Sequence, residues 1–110
     1  MSTAPTVKPS LVRSGTGQVA LKGDLTLNTV TDLIDAGQAA VRDAEGTLSI
    51  DLSQVGVFSS AGVALLLNWL RLAETERVAL SVVSPPADMR AIVALCDLDE
   101  LFAPLLAGQS

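Results

Sequence analysis

The sequence predicts an α/β domain built on a mixed sheet. Leu48, Ile50 and Leu52 alternate with Ser49 and Asp51, the period of a half-buried strand. From there a helical run at Ala61 to Glu76, a Val- and Leu-rich strand at Val78 to Val83 and a further helical run alternate, which calls for parallel strand connections. A turn signal near the start, Ser14-Gly15-Thr16-Gly17, adds an antiparallel pair and makes the sheet mixed.

Met1 to Pro9, with Pro5 and Pro9 among small polar residues, reads as a loose tail ahead of a single domain from residue 10 to 110. Ser10 to Ser14 and Gln18 to Leu21 form the opening hairpin. Gly23-Asp24-Leu25 is expected to break the second strand. Asn28 or Thr26 is the expected N-cap of a helix from about Thr29 to Asp43, where Val30, Leu33, Ile34 and Val41 lie at helical spacing. Gly37 and Ala40 allow close packing there. Asp43 to Gly46 turns into the Leu48 to Leu52 strand. After Val83, Ser84-Pro85-Pro86 ends the strand, and Pro86 starts a helix from Ala87 to Cys96. Asp97 to Leu106 closes the chain, with Leu98, Leu101 and Phe102 returning to the core.

Composition excludes several functions. Apolar residues make up 49% of the chain and charged residues 17%, so a packed core is available, and with three aromatics it is mainly aliphatic. The net charge is −5 and the seven basic residues are scattered, so no dense positive patch exists for nucleic acid or an anionic membrane surface. The chain has no His and one cysteine, Cys96. That removes a disulfide, Cys/His zinc sites and Ser-His or Cys-His catalysis. Cys96 reads as a small core residue. Asp97, Asp99 and Glu100 read as a solvated helix edge, and no metal or cofactor is expected. No apolar run reaches the roughly 18 residues of a membrane span. Met1 to Ser10 lacks an apolar signal core, and the expected location is the cytoplasm.

The most informative run is Ile50 to Leu67, which passes from a strand through a polar loop to a hydroxyl pair, Ser59-Ser60, at the mouth of an apolar helix. Unpaired backbone N–H groups and the positive end of the helix dipole meet there. Ser60 is the expected N-cap, and a phosphate on it would be favourably placed. Ser60-Ala61-Gly62 matches half of a nucleophile elbow, but Phe58 stands where a glycine is needed and no His can act as base. At about 100° per residue, Asn68, Arg71 and Thr75 share the wet face, while Gly62, Leu66, Trp69, Leu70 and Ala73 face the sheet. Trp69 reads as a core anchor. Ala61, Ala64, Leu65 and Leu72 fall on or beside the wet face, where either neighbouring loops cover the leucines or a partner docks on them. Gly62 is expected to let that partner approach the first turn.

Asp51-Leu52-Ser53-Gln54-Val55 and Ser60-Ala61-Gly62-Val63-Ala64-Leu65-Leu66-Leu67 resemble the central motif of the STAS domain family, which includes the anti-sigma factor antagonists. Gly23-Asp24-Leu25 and Leu98 to Phe102 resemble the family's segments before the first helix and at the close. The resemblance covers roughly residues 17–106. It implies a STAS-type single domain, with a mixed four- to five-stranded sheet and helices packed mainly on one side. The Ser-Ala-Gly form followed by Ala64 to Leu67 and Trp69 is most similar to MlaB-type proteins, small cytoplasmic subunits that bind the ATPase of a phospholipid-moving ABC transporter. That similarity implies a non-catalytic subunit with a docking face made of Ser59, Ser60, Ala61, Gly62, Ala64, Leu65, Asn68 and Leu72. The anti-sigma branch implies instead a partner kinase that phosphorylates Ser60. Where both branches usually carry an acidic residue before the hydroxyl, this chain has Ser59, which removes a negative charge from that face.

Overall fold

The computed structural model describes residues 9–106. The elements are β1 (Ser10–Gly15), β2 (Gln18–Leu25), α1 (Thr31–Asp43), β3 (Thr47–Phe58), α2 (Ser60–Glu76), β4 (Ala79–Val83), α3 (Ala87–Leu95) and α4 (Asp99–Leu106). The expected tail lies outside the described residues apart from Pro9, which is buried.

The four strands form one mixed sheet in the order β1-β2-β3-β4. β1 and β2 pair antiparallel, and the β2–β3 and β3–β4 pairs are parallel. Gly17 makes the hairpin turn with φ +70°, where a Cβ would lie 2.8 Å from the Thr47 carbonyl oxygen. Strand alternation decides which sheet face is covered. Val19, Leu21 and Leu25 of β2, Leu48, Ile50 and Leu52 of β3, and Leu80 and Val82 of β4 are all buried on one face under the helices. The opposite face carries Val12, Ala20, Asp51 and Val83 in register across the four strands, with the Ser49 and Ser81 hydroxyls 3.1 Å apart beside them.

Between the helices and the sheet, Trp69 and Phe102 are the largest buried side chains. Trp69 packs on the backbone of Gly37 in α1 and donates from Nε1 to the Ile34 carbonyl at 3.2 Å. Met89 and Val93 of α3 and Phe102 and Leu105 of α4 close the core at the β4 side.

Several elements differ from the sequence reading, each for a local reason. Gly23-Asp24-Leu25 does not break β2. The strand continues, with register shifts against β3 at Ala20/Lys22 and Gly23/Leu25, so β3 runs on to Phe58 rather than stopping at Leu52. Asp24 holds the extension: its Oδ1 accepts from the Val57 N–H at 2.9 Å. Gly56 leaves room for it, since a Cβ there would lie 2.6 Å from that oxygen. α1 starts at Thr31, and neither Asn28 nor Thr26 caps it; Val30 occupies the cap position with no side-chain bond. Thr29, placed in the helix by its spacing, instead orders the loop, donating from Oγ1 to the Asp24 carbonyl at 2.7 Å and accepting from the Thr26 N–H at 2.9 Å. Cys96 is not in the core. It is the C-cap of α3 and exposed, because the last buried residue of that helix is Val93.

Thr29 is the one buried polar residue among those described. Thr29→Val keeps its shape and deletes both loop bonds. The expected loss is about 1–3 kcal/mol, read as a lower urea midpoint with an unchanged slope.

Candidate functional site

The site is the end of the sheet where β2 and β3 hand the chain to α1 and α2. Phe58 closes β3 with its ring buried and pairs with Leu25 of β2. Ser59 follows in extended conformation (φ −112°, ψ −179°) and is half-buried. Its N–H donates to the Leu25 carbonyl at 3.1 Å. Its hydroxyl donates to the same carbonyl at 2.9 Å and accepts from the Ala61 N–H at 3.2 Å. The N-cap of α2 is therefore Ser59, not Ser60. A cap residue must still be extended while its side chain reaches back to the first turn, and the pairing of Phe58 with Leu25 keeps the chain extended as far as Ser59.

Ser60 is the first residue of α2 and exposed, and its hydroxyl has no hydrogen-bond partner among the described residues. No acidic residue stands in the first turn of α2 itself, so the helix supplies no carboxylate of its own to its positive dipole end. Ala61 is half-buried and Ala64, one turn above Ser60, is exposed. Asn68 is exposed one turn further on, its Oδ1 accepting from Gln38 Nε2 of α1 at 3.0 Å. Ser60, Ala64 and Asn68 thus form an uncharged outward stripe.

Three of the expected docking residues sit elsewhere. Leu65 is 3% exposed and belongs to the core. It lies one turn from Trp69 on the flank where α1 packs against α2, so a second helix covers a position that the angular arithmetic places beside the solvent. Leu72 is half-buried and packs on the core. Gly62 is buried, and its missing side chain serves the interior: a Cβ there would lie 2.9 Å from the Phe58 ring. The close approach is made by Phe58, not by a partner.

Two exposed apolar residues at this end were not singled out from the sequence. Leu27, in the β2–α1 loop, is 79% exposed, and Val57 is 51% exposed. Val57 directly precedes the inward-pointing Phe58, so once β3 is known to reach that far, alternation turns Val57 outward. Leu27 sits on neither a strand nor a helix and leaves no periodic signal.

The chain has no His, and no group of three or more His, Cys, Asp or Glu residues able to hold a metal ion occurs among the described residues. No helix among them is long and apolar enough to cross a membrane. A shallow hollow of about 420 Å³ lies at the other end of the sheet, walled by Gly17, Leu48 and the exposed Arg13–Asp43 ion pair (2.8 Å), and contains none of these residues.

A family model described as MlaB, STAS domain, matches residues 12–107. The fold is similar to that of the anti-sigma factor antagonist SpoIIAA in its unphosphorylated form, with a TM-score of 0.62 and 20% identity over 79% of this chain and 82% of that one. It is equally similar to the Bacillus cell fate determinant SpoIIAA in the phosphorylated form, with a TM-score of 0.63 and 20% identity over 84% of this chain and 86% of that one. Curated protein sequences give no significant match.

Proposed function

This chain belongs to the STAS domain family, and from that premise we propose that it is a non-catalytic cytoplasmic subunit that docks the exposed start of α2 on the ATPase of a phospholipid-transporting ABC system. Bound there, it stabilises or regulates the ATPase. STAS domains are protein-interaction modules and typically non-catalytic regulators. The observation that carries the proposal is the stripe of Ser60, Ala64 and Asn68, small and uncharged at the open end of a helix whose other faces are committed to the core. Such a stripe lets a second backbone come close while Ser60 supplies a hydrogen bond. The description of the matching family model as MlaB supports the ATPase as the partner.

Ser60→Asp tests this. It places a charge beside a free helix N-terminus, which the helix tolerates or prefers, but buries that charge when a partner closes over it. Co-purification with the ATPase is expected to fall sharply while the far-UV circular dichroism is unchanged. Undiminished co-purification counts against docking at this end of α2.

A second reading is favoured by one specific observation. The free, exposed hydroxyl of Ser60 at a helix N-terminus is where an added phosphate would be stabilised, which suits an anti-sigma factor antagonist acted on by a kinase. The engaged hydroxyl of Ser59 is not available in the same way. With an anti-sigma factor kinase and ATP the intact mass is expected to stay unchanged. Stoichiometric phosphoserine at Ser60 would put the second reading first.

A further inference from the structure

We infer that the turn between α3 and α4 is a second docking surface, and that its occupant is a basic amphipathic helix of a partner protein. It lies apart in sequence from the start of α2, and nothing in it depends on the ATPase reading. Leu95, the last residue of α3, is 86% exposed, and Leu101 of α4 is 39% exposed. The way α3 ends fixes Leu95 outward. The Cys96 N–H donates to the Ile92 carbonyl at 2.9 Å, and the Leu98 N–H donates to the carbonyl of buried Val93 at 2.9 Å. Asp97 between them takes φ +58°, and Leu98 packs on the core. With the turn pinned on both sides, Leu95 is held in water at a fixed place. Ala91 and Ala94 are exposed on the same helix, so a second backbone can come close beside it.

Charge selects the occupant. Asp97, Asp99 and Glu100 are all exposed around the two leucines. Arg90, exposed more than one turn before Leu95, is the last basic residue of the chain. A second copy docked here would set these carboxylates against their own kind, and an anionic membrane would repel them. A helix with leucines along one stripe and lysines or arginines at its edges meets both the apolar centre and the acidic rim.

Cys96 is the single cysteine of the chain, exposed and next to Leu95, so its alkylation by iodoacetamide reports cover at this turn. The probe is a leucine–lysine peptide in helical register, about four turns long, with a leucine–glutamate peptide of the same pattern as its control. At about ten times its Kd, the basic peptide is expected to slow alkylation of the full chain about tenfold. The acidic peptide is expected to leave the rate unchanged. Leu95→Ser alters an exposed side chain, so the urea midpoint is expected to hold while the basic peptide binds at least about tenfold more weakly. Asp99→Asn and Glu100→Gln together are expected to weaken it and flatten its salt dependence. Unchanged alkylation with the basic peptide, equal protection by the acidic one, or full protection in Leu95→Ser overturns the inference. Slowing without any peptide also overturns it: with rising protein concentration the occupant is a second copy, and on phosphatidylglycerol vesicles it is a membrane.

Discussion

Gly37→Ala is expected to destabilise the protein by about 3 kcal/mol, although alanine is the better helix former by about 1 kcal/mol. Gly37 is buried in α1, and a Cβ on it would fall within the indole of Trp69, overlapping Cε2, Cζ2 and Nε1. The methyl cannot be absorbed by a flexible chain end, because the atoms it meets belong to a rigid ring in a close-packed core. Either the ring moves and gives up its bond to the Ile34 carbonyl, or α1 lifts from α2. Each route adds the cost of a buried donor or of lost packing. The loss should be read by urea unfolding followed by circular dichroism. A double-mutant cycle with Trp69→Leu identifies the cause: the pair is expected to be less destabilised than the sum of its single variants. Strict additivity would place the strain elsewhere.

Leu65→Asp is expected to cost about 4 kcal/mol or more, a large share of the 5–15 kcal/mol available to a domain. The side chain is 3% exposed, so a carboxylate there would be taken out of water. Leu65→Met, which keeps volume and polarity, is expected to cost under about 1.5 kcal/mol. The contrast with Ala64 is the informative part. Ala64→Asp, one residue earlier but exposed, is expected to stay within about 0.5 kcal/mol of wild type. Loss of partner binding in Leu65→Asp would therefore report unfolding of α2, not removal of a contact.

Much of the fold is legible in the sequence because its signals are periodic. The alternation of Leu48, Ile50 and Leu52 and the sheet-facing set Gly62, Leu66, Trp69, Leu70 and Ala73 lead directly to the observed buried faces. What escapes is set by neighbours distant in sequence. Gly23 and Asp24 carry turn chemistry locally, yet Asp24 spends its carboxylate on the Val57 N–H and extends both strands. Ser59 and Ser60 are equivalent as letters; which of them caps depends on Phe58 pairing with Leu25. The helical angle of Leu65 is correct, but the angle alone does not show that α1 lies against it. Gly62 and Gly37 both signal close approach, and in both the approaching group is an aromatic ring of the chain's own core. Of the expected docking residues, Ser60, Ala64 and Asn68 are exposed and Ser59 and Ala61 half-buried, while Leu65 and Gly62 are buried and Leu72 packs on the core; Leu27 and Val57 are exposed at the same end.

The central claim is that the exposed start of α2 is where a partner ATPase docks, and titration calorimetry of Ala64→Arg against that ATPase tests it most directly. Ala64 is exposed on a helix and arginine is a good helix former, so the urea midpoint should hold. A long charged side chain in the middle of a closely packed stripe should weaken binding at least about tenfold, roughly 1.4 kcal/mol. Wild-type affinity in Ala64→Arg would contradict the claim.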